Sequence, residues 1–149
     1  MNRPPDNQPP YVTLGGEAPV LALAARFYDI MDAKYPQLAA VHELDEAGKV
    51  SARTRANFAS FLVMWLGGPQ TYLQTHGHPR LRMRHHRVRI DLAQRDAWLA
   101  CMGEAMDGGK ISGDIRRFLD QRFAEVADFL RNVAEEPSVP QKPSLKIVE

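Results

Sequence analysis

The densest chemistry in the chain lies in ten consecutive residues. Arg80-Leu81-Arg82-Met83-Arg84-His85-His86-Arg87-Val88-Arg89 holds five arginines and two histidines. Three kinds of chemistry suit this composition. A charge run can be a solvated basic loop with no specific partner. Guanidinium groups also pair with nucleic-acid phosphate, yet the cluster is short and has no aromatic interleaving. A neutral imidazole nitrogen is a good iron ligand, and flanking arginines would neutralise the two carboxylates of a haem. Arg80, Arg82 and Arg84 alternate with Leu81, Met83 and His85, which is strand spacing. A lone edge strand fits an all-helical chain poorly, so an irregular or short helical segment is expected after Pro79.

Other polar residues are ambiguous when taken singly. Tyr28 on an apolar face also suits a core tyrosine with a satisfied hydroxyl. Trp98 in mid-helix also suits core filling. His42 could be a surface histidine in a loop, and His78 before Pro79 could be turn chemistry only. No glycine-rich phosphate loop, His-Glu-x-x-His pair or Gly-x-Ser-x-Gly elbow occurs. The single cysteine, Cys101, excludes an internal disulfide, a cysteine-based metal site and a Cys-x-x-Cys-His haem attachment.

Composition bounds the rest. With 149 residues, 44% of them apolar, the chain can bury one domain-sized core. A formal net charge of +1 gives no global field toward nucleic acid or a membrane surface. No apolar run reaches a membrane span, and Val20–Ala25 lacks the flanks of a signal peptide. The expected compartment is therefore the cytoplasm. Residues 1–12 and the Pro-rich tail 135–149 are expected to lack structure, because neither offers enough apolar surface to offset ordering entropy. The domain is placed at residues 13–134.

Within it the elements that must position the polar residues read as helices. Gly15-Gly16-Glu17-Ala18-Pro19 looks like a helix start. Leu23, Phe27, Ile30 and Met31 then recur at helical spacing until Tyr35-Pro36. Residues 37–50 are mixed, a short helix and loop. Ser51 is a plausible N-cap for a helix whose stripe is Phe58, Phe61, Leu62, Trp65 and Leu66, stopped by Gly67-Gly68-Pro69. A short turn of helix fits residues 69–75. Asp91 and Gln94 fit a capping box opening a helix through Trp98, Cys101, Met102, Ala105 and Met106, ended by Gly108-Gly109. A last helix is expected from about Gly113 to Asn132, with Ile115, Phe118, Leu119, Val126, Phe129 and Leu130 on its apolar face. The fold class is all-α.

In combination these blocks are specific. Phe27-Tyr28-Asp29-Ile30-Met31, Trp65-Leu66-Gly67-Gly68-Pro69, the run from Gly77-His78-Pro79 to His85, and Arg95-Asp96-Ala97-Trp98-Leu99 together resemble the group II truncated haemoglobins. The blocks stand in the family's order, over roughly Gly15 to Met106. The resemblance implies a truncated globin, a two-over-two helical sandwich around haem b. His85 would be the protein ligand to a five-coordinate iron, with His86 the other candidate. Tyr28, Trp98 and His42 would stand on the distal side. Phe27, Thr54, Phe58, Phe61, Leu62, Tyr72, His78, Leu81, Arg84, Val88 and Met102 would contact the haem, Arg84 and Tyr72 through its propionates.

The implied function is reversible binding of dioxygen, with nitric oxide and carbon monoxide as further ligands. Nitric oxide or peroxide detoxification and an unidentified reductase are open extensions. Neither nucleic acid nor membrane is an expected partner, and the chain would be a monomer or homodimer. Some positions depart from the family. Arg87 and Val88 replace a common Pro-Phe pair. Asn57 stands where a basic residue is frequent, and Phe58 is bulkier than the usual leucine. The reading from a different class is a helical interaction module that uses the basic cluster, Arg80 to Arg89.

Overall fold

The computed structural model describes residues 8–77 and 90–130. Seven helices occur among the described residues: α1 (Pro10–Leu14), α2 (Glu17–Lys34), α3 (Pro36–Ala39), α4 (Ala52–Trp65), α5 (Thr71–His76), α6 (Leu92–Gly108) and α7 (Gly113–Leu130). The extended contact between Leu44 and Val50 is a single isolated bridge. The long helix α2 packs on both α4 and α6, and α6 packs on α7.

Each long helix has a local cause. In α2 the residues Val20, Leu23, Ala24, Phe27, Tyr28 and Met31 are buried, a stripe at three- and four-residue spacing. Fully burying one such large side chain contributes roughly 1.5–3 kcal/mol. This stripe therefore outweighs any single cap. Pro19 sits in the first turn, where its missing N–H costs nothing. Tyr35, the residue before Pro36, closes the helix as expected.

Helix α4 opens on Ser51, whose hydroxyl accepts from the Thr54 N–H at 3.1 Å. Helix α6 opens on Asp91, whose carboxylate accepts from the Gln94 N–H at 2.9 Å. Both caps follow the sequence reading. The loop between α3 and α4 is folded on Asp45, whose Oδ1 accepts from the N–H groups of Ala47 and Lys49.

Two glycine pairs have steric reasons. Gly67 lies at φ +97°, and a Cβ there would stand 2.6 Å from Pro9. A Cβ on Gly68 would stand 2.6 Å from the Tyr11 ring. The pair thus ends α4 and also makes room for α1, whose Tyr11 N–H donates to the Leu66 carbonyl at 2.9 Å. Regular structure accordingly begins at Pro10, inside the segment 1–12 expected to be unstructured. At the other pair, Arg26 reaches from α2 to the C-terminal end of α6 and donates from Nε to the Ala105 carbonyl at 2.9 Å. A Cβ on Gly109 would collide with the Arg26 guanidinium.

Candidate functional site

A cavity of about 460 Å³ lies among α2, α4, α6 and α7. That size falls within the roughly 300–1,000 Å³ typical of sites for sizeable organic ligands. Helix α4 supplies Thr54, Asn57, Phe58, Phe61, Leu62 and Trp65 to its wall, and α7 supplies Phe123, Val126, Ala127 and Leu130. Tyr28 comes from α2, Tyr72 from α5, and Gln94, Arg95 and Trp98 from α6. Leu38, Val41, His42 and Ile90 complete the wall.

The ring packing explains how the wall keeps its shape. The rings of Phe58 and Phe61 lie 6.3 Å apart, and those of Phe61 and Trp65 6.4 Å. Both pairs are stacked, because the residues follow at three- and four-residue intervals on one helix. Trp65 stacks on Phe123 at 5.2 Å, which joins α4 to α7 across the cavity end. Phe27 touches the rings of Tyr28, Phe58 and Trp98 at 5.0–5.3 Å. It is a fully buried anchor behind the wall and does not line the cavity.

Polar side chains interrupt this lining, among them Tyr28, His42, Thr54, Asn57, Gln94, Arg95 and Trp98. Tyr28 is 3% exposed, and its hydroxyl has no hydrogen-bond partner among the described residues. Burial pushes its phenol well above the ordinary range, with the Arg55 charge opposing, so the hydroxyl keeps its proton at neutral pH. The Trp98 indole likewise has no hydrogen-bond partner among the described residues and lines the same cavity. Unsatisfied donors in an apolar enclosure are costly unless a ligand accepts from them. His42 packs near-perpendicular to Tyr28 at 5.8 Å. Its Nδ1 lies 2.9 Å from the Leu38 carbonyl. A carbonyl only accepts, so this nitrogen carries the hydrogen.

The sequence-predicted residues divide as follows. Tyr28, Trp98, His42, Thr54, Phe58, Phe61, Leu62 and Tyr72 are brought together on one cavity. Phe27 and Met102 are fully buried in the core and do not line it. His78, Leu81, Arg84, His85, His86 and Val88, with the rest of the basic cluster, lie outside the described residues. Sequence reasoning missed Trp65 and Phe123 as wall residues. Trp65 was legible as the i+7 member of the Phe58 stripe. Phe123 follows Leu119 by four residues and shares its buried face. Polar Gln94 and Arg95 were missed as well, and Arg95 is ion-paired with Asp96 and Asp128.

The mainly apolar wall suits a flat apolar macrocycle, while no group of residues that could hold a metal occurs among the described residues. The wall is mainly aromatic and aliphatic, and the Tyr28 and Trp98 donors have no hydrogen-bond partner among the described residues. Comparisons with known proteins point the same way. Residues 10–133 match the family described as bacterial-like globin. The group 2 truncated hemoglobin YjbI of Bacillus subtilis is 36% identical over 126 residues, covering 85% of this chain and 90% of its own. The cold-adapted truncated hemoglobin of the Antarctic bacterium Pseudoalteromonas haloplanktis superposes with a TM-score of 0.77 at 40% identity, covering 85% of this chain and all of its own. The truncated oxygen-avid haemoglobin from Bacillus subtilis gives a TM-score of 0.74 at 36% identity, over 84% of this chain and 100% of its own.

Proposed function

The chain belongs to the group II truncated haemoglobins, and on that premise we propose that it holds haem b through His85 and reversibly binds dioxygen and other diatomic gases. The observation that carries this reading is the pairing of buried Tyr28 and half-buried Trp98, two donors without acceptors among the described residues on one mainly aromatic cavity. When bound, haem would supply an iron atom able to take a diatomic ligand. Everything else is done by the chain. Phe58, Phe61 and Leu62 exclude water from the face where the ligand lies. The Tyr28 hydroxyl and Trp98 indole would donate to the bound ligand. One such bond in an apolar pocket is worth about 1.4 kcal/mol, or roughly tenfold in release rate.

The resemblance to an oxygen-avid relative supports slow release as the expected behaviour. Nitric oxide and peroxide chemistry would use the same pocket, the first with a reductase to return the iron to the ferrous state and the second with an electron donor to consume the oxidising equivalents. Among the described residues no helix is long and apolar enough to cross a membrane, and a cytoplasmic location is the matching proposal. Stopped-flow oxygen dissociation tests the reading. Tyr28→Phe should release oxygen about tenfold faster than the parent. An unchanged rate would remove Tyr28 from the ligand's surroundings. His85→Ala should lose the five-coordinate ferrous spectrum, whereas loss only in His86→Ala would assign the ligand to the second histidine.

A further inference from the structure

Tyr28 donates usefully only if its ring is held in one pose, and the structure contains a device that nothing in the cavity itself supplies. The Arg55 guanidinium carbon lies 5.6 Å from the Tyr28 ring centroid, over its face. That guanidinium is fixed from three sides. Its Nη1 donates to Asp29 at 3.0 Å, its Nη2 donates to Asp32 at 2.5 Å, and its Nε donates to the Val50 carbonyl at 3.1 Å. Asp32 is itself tied down, because its other oxygen accepts from the Val50 N–H at 3.1 Å. Asp29 and Asp32 lie on α2 beside Tyr28, and Arg55 lies one residue after Thr54 on α4. The cluster therefore fastens the tyrosine's helix to the start of the helix that forms the opposite cavity wall.

We propose that Arg55 is a positioning residue for Tyr28, its clamped guanidinium holding the ring between the cation and the near-perpendicular rings of Phe58 and His42 so that the hydroxyl stays in the cavity. A planar, delocalised cation suits this role, since it stacks on an aromatic face while its fork is engaged at the edge. Lysine has a charge but no fork, so it cannot grip two carboxylates and a carbonyl together.

The inference rests on Tyr28 being the donor to a gas ligand, and the test separates the two claims. Oxygen dissociation is measured on the haem-loaded parent, Arg55→Met, Tyr28→Phe and the double variant. The infrared stretch of bound carbon monoxide is recorded on the same four proteins. Arg55→Met should speed release about threefold or more and split the carbon monoxide band into populations with and without a donor. In the Tyr28→Phe background the same substitution should change neither readout. Equal effects of Arg55→Met in both backgrounds would show a general structural role and overturn the inference. No effect of Tyr28→Phe would overturn the donor reading, and the positioning role with it. If Arg55→Met does not fold, Arg55→Lys and Asp29→Asn take its place. Both loosen the clamp and should broaden the carbon monoxide band, and a parent-like band in both would overturn the proposal.

Discussion

Phe58 packs its ring 5.3 Å from Phe27 and 5.6 Å from Tyr28, and it lines the same cavity as Tyr28. A leucine there would open space on the side proposed for a gas ligand. Phe58→Leu should therefore raise the association rate for carbon monoxide. Flash photolysis with a rate equal to the parent's would show that this ring does not narrow the entry. The roles proposed for Tyr28 and Trp98 come from the family's motifs, because an aromatic on an apolar face is usually core. Their lack of hydrogen-bond partners among the described residues needs the third dimension. The reverse holds for Phe27 and Met102, whose helical register points inward. Register alone cannot tell a core position from one that meets a ligand.

Helices were the most legible level, because caps and breakers are local. Ser51, Asp91 and Pro36 mark element ends through bonds within four residues of themselves. Helix α1 was missed for the opposite reason. Its five residues cannot nucleate alone, and they are held by Leu66, Gly67 and Gly68, more than fifty positions away. Comparing two glycines tests that docking. Gly67→Ala forces a left-handed residue and a clash with Pro9, whereas Gly48→Ala at φ +82° meets nothing within 4 Å. The second should lose about 1–2 kcal/mol from backbone strain alone, and the first clearly more. Equal losses in urea unfolding would show that α1 adds nothing to stability. A comparable logic applies to Gly109, where a methyl group would displace Arg26 from the Ala105 carbonyl.

For the molecule as a whole, buried protons set how stability responds to alkali. Burial pushes the Cys101 thiol, which donates to the Phe27 carbonyl at 3.2 Å, from an ordinary 9.0 up to about 12. The hydrogen bond to Glu104 raises Tyr35 from 10.0 to about 12, and burial raises Tyr28. Each folded group keeps a proton that the unfolded chain releases sooner. Their contributions are intact below about pH 9 and are lost progressively as the pH climbs toward 12. The urea midpoint should hold from pH 7 to 9 and then fall, less steeply in Cys101→Ala, and identical alkaline slopes would exclude the thiol. Haem binding is the property on which the proposed gas chemistry depends, and titrating hemin into the haem-free protein tests it most directly. One equivalent should produce a sharp Soret band that shifts when the reduced protein meets carbon monoxide. A spectrum that remains that of free hemin throughout would contradict it.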